Sequence, residues 1–287
     1  MKAMSDGWLN GLVGVVIFAG SLPATRVAVM DMSPTFLTAA RAAIAGVLAL
    51  FLLILSRQKL PERQDWLSLL YVSIGVVVGF PLFTALALQY VSAAHTIVFI
   101  GLLPLATAIF GVIRSGERPS LIFWLFAIFG ASLVFAFMLF QTQSWSFNYG
   151  DFFMVVAILL CGFGYAEGGK LSKHLGGWQV ICWALLVTLP IMLLLSYLYL
   201  PTNFELIPLQ AKLGLAYVSI FSMLIGFFFW YKGLAQGGIA TVGQLQLLQP
   251  IFGLAIAAVL LNEQVSVAMF MVTIAVIVCV ACAKKFA

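Results

Sequence analysis

Long apolar runs separated by short polar stretches fill this chain from end to end. Ten such runs lie at approximately 7–28, 34–56, 66–89, 93–113, 119–140, 150–171, 178–200, 209–235, 239–261 and 265–283. Each is close to the roughly 20 residues that a helix needs to cross the hydrocarbon core of a bilayer. The connections between them are very short. The pattern predicts an all-α integral membrane protein with ten transmembrane helices, numbered 1 to 10. Composition agrees: of 287 residues 64% are hydrophobic and only 8% charged, with a mean hydropathy of +1.15. A soluble domain carries about 25% charged residues. No room is left between the spans for a soluble catalytic domain.

The ten segments fall into two sets of five. The stretch 231–263 repeats in weaker form at 85–117, an offset of 146 residues. The 13-residue gap from Pro104 to Glu117 recurs from Pro250 to Glu263. The same offset carries Ala94 onto Ala240, Ser120 onto Ser266, and Tyr71-Val72-Ser73-Ile74 onto Tyr217-Val218-Ser219-Ile220. The chain therefore reads as a duplication, with one copy at 7–140 and the other at 150–283.

Charge gives the copies a direction. Arg57, Lys59, Arg63, Arg114, Arg118, Lys170, Lys173, Lys284 and Lys285 occupy alternate breaks, and the intervening breaks are nearly free of basic residues. By the positive-inside rule both termini are cytoplasmic. The net charge of +5 thus concerns orientation, not nucleic acid. The N-terminal stretch, with Lys2 before an apolar run, resembles a signal peptide but reads better as an uncleaved first helix. Five helices per copy place the copies upside down relative to each other, related by a pseudo-two-fold axis in the membrane plane. Many secondary transporters are built this way.

At this point the residues resemble a known family. Ala87-Leu88-Gln89-Tyr90-Val91-Ser92-Ala93-Ala94, Leu102-Leu103-Pro104-Leu105 and Gly116-Glu117-Arg118-Pro119-Ser120 in the first copy are similar to EamA-type transporters of the drug/metabolite transporter superfamily. So are Trp230-Tyr231-Lys232-Gly233-Leu234, Leu248-Gln249-Pro250-Ile251 and Leu261-Asn262-Glu263 in the second, and Arg41 in segment 2. Asn262 stands where the family usually has glycine. The resemblance implies a fold of ten helices in two EamA repeats. It also implies metabolite transport, often export of amino acids or related compounds across the bacterial inner membrane.

Ionisable and polar groups at membrane depth are candidates for function. Glu167 lies in Cys161-Gly-Phe-Gly-Tyr-Ala-Glu-Gly-Gly-Lys170, whose four glycines are expected to unwind segment 6. Segment 1 is broken at the corresponding place by Gly20 and Pro23, and paired interruptions point to a transporter's binding site. A carboxylate there could take a proton or pair with a substrate ammonium; alternatively it pairs with Lys170. Gln244, Gln246 and Gln249 precede Pro250, where the first copy has Val98, Ile100 and Leu103. Gln246 and Gln249 share a helix face and contact either substrate or another helix. Trp230, Tyr231, Trp183 and Tyr165 could form an aromatic box, or Trp230 and Tyr231 could belong to an interfacial belt. Arg41, roughly 10 Å from the outer end of segment 2 by helix rise, could hold a substrate carboxylate, close an outer gate or reach headgroups. His95 is a second candidate for proton coupling beside Glu167. Pro23, Pro81, Pro104, Pro190 and Pro250 are expected to act as helix hinges.

These readings converge on a secondary transporter that moves a small molecule across a lipid bilayer, with protons as coupling ion. Cationic drugs, quaternary amines, a vitamin or a nucleobase remain alternative substrates, and a passive channel an alternative mechanism. The chain has no HExxH, GxSxG or P-loop. Cys161, Cys182, Cys279 and Cys282 read as small apolar filler, so neither a metal nor a cofactor is expected. Monomer and dimer remain open.

Overall fold

The computed structural model describes residues 2–91, 93–142, 149–261 and 267–286, and its regular structure is entirely helical among them. The ten helices are α1 (Lys2–Ala19, resuming after Gly20 as Ser21–Val29), α2 (Pro34–Leu55), α3 (Asp65–Tyr90), α4 (Ala93–Ile100, then Leu103–Ser115) and α5 (Leu121–Thr142) in the first copy. The second copy holds α6 (Tyr149–Leu175), α7 (Gly177–Leu198), α8 (Leu209–Gly237), α9 (Ile239–Gly243, continuing to Leu261) and α10 (Val267–Phe286). Local chemistry sets several ends. Ser33 accepts from the Phe36 N–H ahead of Pro34, capping α2, and Gly116, with φ of +67°, closes α4 in the left-handed region. Gly176 and Gly238, also at positive φ, turn α6 into α7 and α8 into α9.

The packing obeys the inverted repeat. A two-fold axis that exchanges the copies makes α2 the equivalent of α7 and α5 the equivalent of α10, and here each pair meets across it. Both pairs form extensive contacts. Likewise α1 packs on α8 as α6 packs on α3, and α4 on α6 as α9 on α1. The outward faces carry Phe51, Ile54, Ile191, Leu194 and Ile277, exposed side chains that suit lipid rather than water. Both termini, and the breaks that hold the basic residues, lie at one end of the bundle, hereafter the basic end. Asn10 in α1 there meets Gln236 at the close of α8 (3.0 Å), and Ser120 ahead of α5 donates to the Phe286 carbonyl.

Interruptions occur in matched places, though not all where the sequence suggests. In α3 the stretch Ser73–Gly79 is wound as π-helix, and in α8 so is Val218–Ile225. These are the two copies of the Tyr-Val-Ser-Ile run. In each the serine hydroxyl bonds back to the carbonyl four residues earlier: Ser73 to Leu69 at 2.8 Å, Ser219 to Leu215 at 2.6 Å. Such back-bonding competes with the regular ladder and bends helices. Helices α4 and α9 are interrupted just before Pro104 and Pro250, by a turn at 101–102 and by a 3-10 stretch at Gln244–Leu248.

The prolines mark several of these places. Pro23, Pro104 and Pro250 stand in the first turn of a helical piece, where a missing N–H costs little, and Pro81 directly follows the π-wound stretch inside α3. Pro190 lies inside an unbroken helix, α7. The expected unwinding of segment 6 is overturned, because α6 runs continuously through all four glycines. Its glycines serve close approach. A Cβ on Gly162 would come within 2.9 Å of Ala106, and one on Gly168 within 2.2 Å of the Tyr231 ring.

Candidate functional site

The break in α1 organises the interior. A Cβ at Gly20 would lie 2.5 Å from the Tyr217 hydroxyl, so only glycine admits that ring. Tyr217 donates to the Ile17 carbonyl at 2.7 Å, satisfying a backbone group on the turn preceding the break. Just past it, Ser21 bonds Ser222 of α8 (2.7 Å), and Arg41 of α2 donates Nη2 to the same hydroxyl (3.2 Å). Three helices thereby meet around one guanidinium. Arg41 is only 5% exposed, and its Nε has no hydrogen-bond partner. Among the described residues no carboxylate pairs with it.

Rings fill the space beside this group. Phe18 stacks on Tyr165 (6.3 Å between centroids) and tilts onto Phe227 (5.0 Å) and Trp230 (6.1 Å). Tyr165 contacts Phe227 (5.9 Å) and Trp230 (5.2 Å), and it lies within electrostatic reach of Arg41. Two expected members of the aromatic box, Tyr165 and Trp230, therefore do converge. Phe18 and Phe227 complete the cluster; the sequence analysis missed Phe18, which has no polar atom or spacing to single it out. Tyr231 lies at the edge, 5.1 Å from Phe227, with its hydroxyl on the Gly164 carbonyl (3.2 Å). Trp183 is elsewhere, edge-on to Trp66 at 6.3 Å.

The glutamines are all buried, but they part company. Gln249 reaches the Phe18 carbonyl in α1 (3.5 Å), while Gln246 reaches Thr107 in α4 (3.4 Å). Both bonds are long, and each leaves Oε1 unpartnered; Gln244 has no partner for either amide atom. Unmade bonds at a buried amide are costly.

Glu167 is absent from this group. It is two residues from Tyr165, about 200° around a helix, and so faces α3 and α4 instead. Its buried carboxylate accepts from Arg114 Nε (2.7 Å) and Nη2 (3.2 Å) and from Ser68 Oγ (2.6 Å). The Arg114 guanidinium also covers the rings of Tyr71 and Phe163, at 5.8 and 5.7 Å. Arg114, not Lys170, is thus the partner. Nearby, His174 at the end of α6 meets Asp65 at the start of α3 (2.9 Å). Two acid–base contacts consequently tie α3, α4 and α6 together at the basic end. Glu117 was only a repeat landmark in sequence, but its two oxygens accept from the Ile239 and Ala240 N–H groups, both at 2.7 Å. It therefore caps α9, where the helix dipole favours an anion. The side chain of His95, and residues Asn262 and Glu263, lie outside the described residues.

Relatives bear on what this arrangement belongs to. The EamA-like transporter family matches residues 6–140 and 148–283. The uncharacterized transporter YdeK of Bacillus subtilis (strain 168) is 60% identical over 287 residues, which is 100% of both chains. The uncharacterized transporter sll0355 of Synechocystis sp. (strain ATCC 27184 / PCC 6803 / Kazusa) is 24% identical over 269 residues, 87% of this chain and 81% of its own. A solved structure described only as the crystal structure of a protein superposes with a TM-score of 0.79 over 98% of this chain and 97% of its own, at 18% identity, a likeness of fold. With two family domains, a ten-helix inverted-repeat fold and a transporter as full-length relative, this chain belongs to the EamA-like transporter family of the drug/metabolite transporter superfamily.

Proposed function

We propose that the chain is a secondary active transporter that exports a small metabolite, an amino acid or related compound, across the bacterial inner membrane by alternating access coupled to protons. The observation that carries this reading is the buried polar and aromatic site at the α1 break. It is assembled from both inverted copies: α1 and α2 from one, α6, α8 and α9 from the other. A substrate bound there contacts both halves, so a rocking of the halves about it changes the side from which it is reached.

The basic end is taken as cytoplasmic, by the distribution of Lys and Arg. There the Glu167–Arg114–Ser68 and Asp65–His174 contacts act as a latch that holds α3, α4 and α6 together. Opening inward requires Glu167 to leave Arg114, and protonation of the carboxylate removes the charge that holds it. Proton binding is thereby linked to opening, which is what coupling requires.

The test is transport in vesicles reconstituted with the purified protein. Under an imposed pH gradient, a metabolite from a panel should accumulate beyond equilibration, and the effect should vanish when a protonophore collapses the gradient. Flux that only ever equilibrates would identify a passive facilitator and overturn the coupled mechanism.

A further inference from the structure

At the basic end, where the α1–α8 pair meets the α2–α7 pair, the helices leave a cavity of about 390 Å³ that plays no part in the proposed coupling. Its lining includes Asn10, Leu52, Ser56, Trp178, Phe228 and Lys232. The polar and apolar members are sorted by depth. Helices α2 and α8 both run towards the basic end, so Ser56 and Lys232 stand at the mouth. Leu52 and Phe228 lie four residues earlier on the same helices, about 6 Å deeper by helix rise. Trp178 packs edge-on against Phe228 (6.2 Å between centroids), and beside Leu52 the side chains of Phe51 and Leu55 are exposed. Lys232 is exposed too, and among the described residues no carboxylate pairs with its ammonium. Asn10 donates its amide hydrogens to the Asp6 carbonyl (2.8 Å) and to Gln236 Oε1 (3.0 Å), which leaves Oδ1 to accept. The opposite end has no copy of this lining: the 146-residue offset sets Val156 at the place of Asn10 and Leu86 at the place of Lys232.

From this arrangement we infer that the cavity holds one anionic phospholipid from the leaflet at the basic end. Its phosphate sits at Lys232 and Ser56, a hydroxyl of its headgroup on Asn10, and an acyl chain passes Trp178 along Leu52 and Phe228. Basic pockets between helices on the cytoplasmic side suit such headgroups. The graded lining selects a lipid over a free phosphate. A soluble anion gains from Lys232 but nothing from an apolar wall one turn deeper, whereas a phospholipid presents charge and hydrocarbon in that same order. The cavity is large enough for a headgroup and the start of a chain; the remainder lies on the outward face at Phe51 and Leu55. Because the lipid touches α1 and α8 on one side and α2 and α7 on the other, it stabilises the helix arrangement in which the cavity exists.

The purified full chain, stripped of lipid in detergent, is titrated with dioleoylphosphatidylglycerol, dioleoylphosphatidylcholine and glycerol 3-phosphate. Native mass spectrometry counts the lipids retained per chain, and the melting temperature reports stabilisation. One phosphatidylglycerol should be retained at concentrations where phosphatidylcholine is not, and it should raise the melting temperature by about 3 °C. Glycerol 3-phosphate should give no shift. Lys232→Gln should weaken phosphatidylglycerol about fivefold. Leu52→Trp, which fills the deeper part of the cavity and keeps the charge, should abolish retention. Arg118→Gln removes a cation exposed at the same end, between α4 and α5 and outside the lining, and should change nothing. Equal retention of the two lipids overturns the inference. So does a shift from glycerol 3-phosphate as large as that from the lipid, which identifies a soluble anion's site. Equal losses in Arg118→Gln and Lys232→Gln overturn it too, as diffuse attraction to a basic surface. Should a cavity variant not fold, the three probes on the unaltered chain decide alone. None of these outcomes depends on what the protein carries or on its coupling to protons.

Discussion

Glu167 marks the point where charge, burial and chain distance meet. Its acidity at membrane depth is visible in sequence, but its partner Arg114 is 53 positions away and reads there as one of several loop cations. No local spacing could reveal the pair. Glu167→Gln keeps the size and the Ser68 contact but cannot gain or lose a proton. We expect pH-driven accumulation to be abolished while membrane insertion and gel-filtration behaviour stay normal, and full activity in that variant would remove Glu167 from the coupling. Arg114→Gln, by contrast, leaves a buried carboxylate without its cation and should destabilise the fold by about 2 kcal/mol, discounted because Arg114 is 34% exposed. The double variant should recover much of that loss in detergent melting, since neither charge then lacks a partner.

At the scale of elements, glycine and proline carry opposite meanings in different surroundings. Proline count suggests hinges, and Pro23, Pro81, Pro104 and Pro250 do stand at interruptions, whereas Pro190 sits in an unbroken helix. Glycine count suggests a loose α6, but its glycines admit different neighbours: a Cβ at Gly162 would meet Ala106 of α4, one at Gly164 Val76 of α3, and one at Gly168 Tyr231 of α8. A Gly168→Ala change would push a methyl into the Tyr231 ring and should cost about 1–3 kcal/mol by overpacking. The melting temperature in detergent should fall accordingly; lost transport with an unchanged melting temperature would restore the reading of an unwound segment 6. The π-wound stretches of α3 and α8 were legible only as the repeated Tyr-Val-Ser-Ile run. The serine back-bond alone does not widen a turn, since Ser172 and Ser196 bond back in the same way within regular α-helix, so nothing local in the run announces the π-winding.

For the whole molecule, most of the architecture could be read in advance, because apolar length, basic asymmetry and the 146-residue offset are long-range properties of the chain itself. Which rings and amides converge depends on helix rotation, and a helix apolar on all sides carries little information about rotation. Trp183 and Phe18 illustrate the difficulty in opposite directions. Orientation is testable at this scale. In a variant lacking the native cysteines, Lys173→Cys should react with a membrane-impermeant maleimide only after permeabilisation, and Asn203→Cys, exposed at the far end, should react in intact cells. The reversed pattern would invert the topology.

Tyr71 and Tyr217 are the same residue in two copies, and they have diverged in use. Tyr217 props α1 open at a glycine and holds a carbonyl there; Tyr71 lies beneath Arg114, and α6 carries Ala166 at the position matching Gly20 and stays whole. At the basic end the halves are joined by acid–base contacts, Arg114 with Glu167 and His174 with Asp65, whereas deeper in the bundle Ser21 and Ser222 join them through hydroxyls. Salt screens contacts between ions far more than contacts between hydroxyls. Ionic strength in the compartment facing the basic end should therefore alter how readily that mouth opens.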